Sequence, residues 1–308
     1  MSKTNKGKKS AVLRTVIFVV AVLLVIAVVA TVAVIVNRNV SKEKVTEKYR
    51  NRISGNVVLN ETEFQSLTEL NSDIKGWINI ENTKLCNPVF QTTDNSFYAM
   101  HDADKKESDT GAVYFDASVV SGNKPSRNLV MYGQNMTDGT MFNVLEDYED
   151  VNFLKKNPVI DIYTENGMAK YAVFAVYRTN ADPNDNDGYC FSYRPTSFST
   201  ENAFLGWAKQ VKSRSIIDTG IDVKKGDSIL TLITTSDNYD SERLVVCART
   251  VRNGEDITDI IAAAKYNSKI PYPQKWYEVK KTEMPEWVSK MYQKEQKAIA
   301  DIEKQLKK

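Results

Sequence analysis

A single histidine, His101, and three cysteines, Cys86, Cys190 and Cys247, are all that this 308-residue chain holds of the residues that most often bind transition metals or staple small folds. One imidazole excludes a histidine-rich metal site. The cysteines are odd in number, far apart and in no CxxC pattern, so neither a disulfide framework nor a zinc site is indicated, and no cofactor or metal is expected. Charge of one sign is lacking too: 41 basic against 39 acidic residues leave +2, which gives no reason to invoke nucleic acid as a partner. Internal repeats and low-complexity stretches are absent from the region after the N-terminal segment. What is present in quantity is apolar: with 42% hydrophobic residues the chain can bury a substantial core, and one domain of about 200 residues with appendages is expected.

No charge interrupts Thr15 to Val36, which is built almost entirely of Val, Ile, Leu, Ala and Phe. At about 1.5 Å rise per residue this segment spans the roughly 30 Å hydrocarbon core of a bilayer, so 15–36 reads as an uncleaved membrane anchor. A cleaved signal is the weaker alternative because its apolar region is usually shorter, about 7 to 15 residues. Lys3, Lys6, Lys8, Lys9 and Arg14 before the span are matched by Arg38, Lys42, Lys44, Lys48, Arg50 and Arg52 after it, so charge asymmetry is nearly nil. A short basic tail and one N-terminal span favour 1–14 in the cytoplasm and the large C-terminal part outside. Residues 37–59 read as a membrane-proximal stalk, a solvated spacer with helical potential.

From Asn60 the composition changes. Phe64, Leu67 and Leu70 at helical spacing predict a short amphipathic helix ending near Asn71. Eight short apolar runs follow: Trp77 to Ile80, Leu85 to Phe90, Ala112 to Phe115, Leu129 to Tyr132, Val159 to Tyr163, Ala169 to Tyr177, Ser228 to Thr234 and Arg243 to Val251. Turn residues such as Glu165-Asn166-Gly167 and Lys225-Gly226-Asp227 separate several of them. The spacing predicts a mostly β domain over 60–280, an antiparallel barrel or sandwich with helical insertions. One insertion lies between the sixth and seventh runs, where Ser199 or Thr200 caps a helix with Phe204, Trp207, Ala208 and Val211 on one face. After Pro285, Trp287, Val288, Met291, Tyr292, Ala298, Ile299, Ile302 and Leu306 form a second stripe within a 281–308 helical extension, suited to docking on its own domain or to a partner or membrane surface.

Leu70 to Ile78, Asn87-Pro88-Val89-Phe90-Gln91, Asp94 to Tyr98, Gly111 to Asp116, Asn128 to Met136 with Asp138 to Phe142, Thr231 to Thr235 and Arg243 to Val246 together resemble the motifs of the class B sortases, over about Glu63 to Tyr277. The resemblance implies an eight-stranded sortase-type β-barrel on a membrane anchor of a Gram-positive cell. It further implies a transpeptidase whose cysteine attacks the bond after threonine in a sorting signal, a histidine that manages protons, and an arginine that stabilises the oxyanion. Thiolate, imidazole and guanidinium suit those roles. Arg243 stands at the arginine position, but Gln134 stands where the histidine is expected and Thr235 where the cysteine is expected.

An amide does not shuttle protons, and an alcohol without a base beside it is a poor nucleophile. In a protease triad, loss of the nucleophile or histidine costs on the order of 10⁶ in turnover. Substitutes elsewhere are poor: Ser236 points away from the face that carries Thr235, Cys247 lies about 13 Å along its strand from Arg243, and Cys86, Cys190 and His101 sit outside the resembling catalytic motifs. The expectation is therefore a sortase homologue without catalysis, binding sorting-signal peptides, pilin or surface proteins, or a partner sortase. Its competitor is an active, cysteine-independent transpeptidase or peptidase.

Overall fold

A computed structural model describes residues 16–33, 47–51 and 59–306, with side chains through 300. The expected tail, the ends of the expected span and most of the expected stalk lie outside the described residues. The chain divides into two units, Met1–Lys48 and Tyr49–Lys308. In the first, α1 (Val16–Ala33) is a helix long and apolar enough to cross a membrane.

The second unit is a closed barrel of eight strands in the order β1-β2-β3-β4-β8-β9-β6-β5. The strands are β1 (Ile74–Asn79), β2 (Cys86–Phe90), β3 (Val113–Phe115), β4 (Asn128–Tyr132), β5 (Val159–Thr164), β6 (Gly167–Asn180), β8 (Ile229–Thr235) and β9 (Glu242–Thr250). All eight apolar runs of the sequence become barrel strands. The antiparallel expectation needs correction, because β2 with β3 and β4 with β8 run parallel. Long connections precede both pairings, and a parallel neighbour requires such a crossover, whereas a tight hairpin enforces antiparallel pairing. The two-residue strands β7 (Ile217–Asp218) and β10 (Lys265–Tyr266) form a separate small sheet.

Local chemistry explains the helices. In α2 (Glu61–Leu70) the Asn60 side chain accepts from the Glu63 N–H while the Glu63 carboxylate accepts from the Asn60 N–H, and Phe64 and Leu67 are buried beneath. Helix α5 (Glu201–Arg214) is capped by Thr200 and buries Phe204, Trp207, Ala208 and Val211. It packs against β6, so β6, like β8, is buried on both faces. Between these lie α3 (Val144–Asp147) and α4 (Val151–Lys156); α6 (Thr258–Ala262) and α7 (Gln274–Lys280) follow the barrel. The last helix, α8 (Glu286–Leu306), packs back on the domain: Val288 and Tyr292 are buried, and Glu295 pairs with Arg214 and accepts from Tyr189. Its Trp287 and Ile299 stay exposed.

Part of the expected spacer is docked. Tyr49 is buried with its ring edge-on to Phe90 and its hydroxyl donating to the Ala103 carbonyl. Arg50 donates to the Lys84 and Cys86 carbonyls beside β2.

Candidate functional site

Parallel pairing of β4 with β8 brings the C-terminal ends of both strands to one rim, with Tyr132 opposite Ile233. The rim is reinforced past the strand end: Gly133 N–H donates to the Ile233 carbonyl at 3.3 Å, and the Thr234 hydroxyl to the Gly133 carbonyl at 2.8 Å. Position 133 must be glycine, since a Cβ there would lie 2.7 Å from the Phe142 ring. On the other side of β8, Thr235 is directly opposite Arg243 of antiparallel β9, so both side chains leave the sheet on the same face. Gln134, Thr235 and Arg243 consequently line one cleft of about 330 Å³.

Each of the three has a defined setting. The Gln134 amide nitrogen donates to the Ala99 carbonyl at 3.1 Å, and its backbone carbonyl accepts from Phe142 N–H. Thr235 is exposed; its carbonyl accepts from the Asn135 amide at 3.3 Å, while among the described residues nothing hydrogen-bonds its hydroxyl. Arg243 donates through Nη1 to the carbonyls of Asp240 and Glu242, at 2.8 and 2.7 Å. Nε and Nη2 have no protein acceptor among the described residues.

Of the remaining cleft wall, Asn95, Tyr114 and Tyr132 lie within the resembling motifs, whereas Tyr193 and Arg194 lie outside them. Tyr114, Tyr132, Tyr193 and Arg194 line it with Asn95. Arg194 Nη1 donates to the Tyr132 hydroxyl at 3.1 Å, and that hydroxyl donates to Asp116 Oδ2 at 2.8 Å. Burial alone would raise the Asp116 carboxyl, but hydrogen bonds from Ser118, Tyr132 and Asn95 hold it below the usual carboxylate range. Arg194 sits in an irregular stretch with no periodic pattern around it; its only signal is the Tyr193-Arg194-Pro195 triplet, which is weak.

Behind the rim, Arg178 gathers Glu146, Glu149 and Glu242 at 2.7 to 2.8 Å, and its Nη1 donates to the Ser236 hydroxyl at 2.6 Å. Ser236 is thereby held in this network, on the opposite side of the strand from Thr235. Other nucleophile candidates are equally engaged. Burial pushes the Cys86 and Cys190 thiols up and the Cys247 thiol up to about 12, so none of them is a thiolate at neutral pH. The His101 ring stacks on Phe97 at 4.1 Å with Nδ1 2.8 Å from the Phe97 carbonyl, and it does not line the cleft. Among the described residues no group of His, Cys, Asp and Glu is arranged to hold a metal ion.

A closed eight-stranded barrel with an active-site-like cleft at the ends of β4, β8 and β9 defines a class, and comparison with known proteins identifies it. The sortase domain family matches residues 78–251, more than half of the chain. Sortase B of Staphylococcus aureus (strain NCTC 8325 / PS 47) is 30% identical over 212 residues, covering 68% of this chain and 83% of that protein. Sortase B of Listeria monocytogenes is 32% identical over 193 residues, covering 61% and 74%. The solved Staphylococcus aureus sortase B–substrate complex superposes with a TM-score of 0.61 at 28% identity, over 70% of this chain and 97% of that one. The chain belongs to the sortase family, in its class B branch.

Proposed function

We propose that this protein is a membrane-anchored, extracytoplasmic class B sortase homologue that binds sorting-signal peptides, the pilin or surface proteins that carry them, or a partner sortase, without catalysing transpeptidation. The observation that carries this reading is the Thr235 hydroxyl: among the described residues no group hydrogen-bonds it and no acidic residue or histidine lines its cleft, and the side chain placed where a proton shuttle is expected, Gln134, is an amide committed to the Ala99 carbonyl. Anchoring rests on α1. Peptide binding rests on the retained cleft with Arg243, and on a relative solved as a sortase B–substrate complex.

The test is mass spectrometry of the full-length chain, solubilised in detergent, incubated with a sorting-signal peptide and an amine. The expected result is intact peptide and no acyl adduct on the protein. A turnover product that disappears with Thr235→Ala would overturn the reading in favour of a cysteine-independent transpeptidase or peptidase.

A further inference from the structure

We propose that the cleft is a receptor for the free C-terminal carboxylate of a peptide, held jointly by Arg243 and Arg194. This rests on the peptide-binding reading above and names what that site prefers. The first observation is charge. The chain as a whole is nearly balanced at +2, yet the cleft lining includes two arginines and no acidic residue. Asp116, reached through the Tyr132 hydroxyl, does not line the cleft and is occupied by Tyr132, Asn95 and Ser118.

The second observation is how the two guanidiniums are held. Arg243 is fixed by backbone carbonyls and Arg194 by the Tyr132 hydroxyl, all of them neutral acceptors. Such contacts orient a cation without a direct ion pair, Asp116 acting on Arg194 across the Tyr132 hydroxyl, and each guanidinium keeps further N–H donors directed to no protein group among the described residues. Both cations act on the same two phenols: burial raises Tyr114 to about 12 and also raises Tyr193, while Arg243 and Arg194 each pull the other way on both. Both guanidiniums line the same cleft.

A carboxylate offers two anionic oxygens to such forked donors, in charge-assisted bonds roughly twice as strong as those to a neutral carbonyl. Tyr114, Tyr132, Tyr193 and Ile233 supply a mixed aromatic and apolar wall, and a cleft of about 330 Å³ is at the small end of ligand sites. The end of a chain fits this description. An uncleaved signal presents an uncharged amide at the same point, so the site discriminates against it and retains the cleaved fragment.

The experiment uses the full-length chain in detergent and three fluorescently labelled peptides: one ending in threonine as the free acid, the same peptide as its C-terminal amide, and one that continues past the threonine. Fluorescence anisotropy should show the acid binding at least about tenfold more tightly than the other two, with the preference shrinking as salt is raised. Arg194→Gln and Arg243→Gln should each reduce the preference to within about twofold while Tm is unchanged. Equal binding of all three peptides overturns the carboxylate inference and leaves peptide binding standing. No binding of any peptide overturns both. A preference for the acid that survives Arg194→Gln, or displacement by inorganic phosphate at concentrations below those needed of acetate, also overturns it.

Discussion

Strand β9 carries an arginine near each end, and the two are treated in opposite ways. At the C-terminal end Arg249 is fully buried, forks onto Glu255 with two bonds of 2.5 Å, and lies 3.6 Å from Asp222. Nearby Arg252 pairs with Asp222 and Asp227. At the N-terminal end Arg243 is only half-buried and meets carbonyls alone. An arginine inside a structural network has its charge cancelled by the fold. An arginine whose charge the fold leaves uncancelled is available to a ligand. Arg178, one strand away on β6, shows that the cleft end is not short of carboxylates: three of them converge there, on the other side of β8 and β9 from the cleft.

The largest test of the comparison installs a histidine and a cysteine beside Arg243. In the double variant Gln134→His, Thr235→Cys, incubation with a sorting-signal peptide should give an acyl adduct visible by intact-protein mass, the catalytic group effect reaching about 10⁶ in the triad of a serine protease. A folded double variant with no adduct would show that the cleft itself has diverged. Next in size is Arg249→Met, which removes a fully buried guanidinium from Glu255 and leaves the surrounding carboxylates to Arg252, and should cost about 2–3 kcal/mol, read as a lowered urea midpoint. Arg243→Met should cost under about 1 kcal/mol. Equal losses would erase the distinction between the two ends.

Acid separates the ends by sign. Burial alone would raise Asp222, but hydrogen bonds from Arg252 and Lys224 bring it from 3.8 down to about 2, so its contribution is complete above about pH 4 and disappears as the pH falls toward about 2. Glu146, beside Arg178, is raised by burial despite its arginine, so its contribution is full at low pH and declines as the pH rises through its folded-state pKa. Asp222→Asn should flatten the first dependence and Glu146→Gln the second, in urea midpoints measured across that range. A similarly small effect is expected of Gln134→Ala, which removes one hydrogen bond from a partly exposed side chain and should cost about 1 kcal/mol or less.

The barrel was legible because its strands are buried and apolar: Ile229-Leu230-Thr231-Leu232-Ile233 reads as a strand whatever its neighbours are. Strand pairing was not, since β4 meets β8 across nearly a hundred residues and nothing in Asn128 to Tyr132 specifies a parallel partner. Strands of two residues, β7 and β10, are too short to carry a period. Gln134, Thr235 and Arg243 stood out because they lie within ordered motifs. Arg194 and the Arg178 cluster stayed hidden for the opposite reason: their partners come from separate elements, and only folding assembles them. The docking of Tyr49 was masked by the charges around it, although an aromatic in a polar stretch already hints at an anchor point.

Thr235 is the last, exposed residue of its strand, and Gln134 lies just beyond the end of another. Neither side chain is part of the core: the Gln134 amide meets one backbone carbonyl, and Thr235 is held through its own carbonyl rather than its hydroxyl. Selection for a stable barrel is therefore blind to what occupies them. On the function proposed above, two replacements at positions where folding registers almost nothing are enough to separate holding a peptide from cutting it.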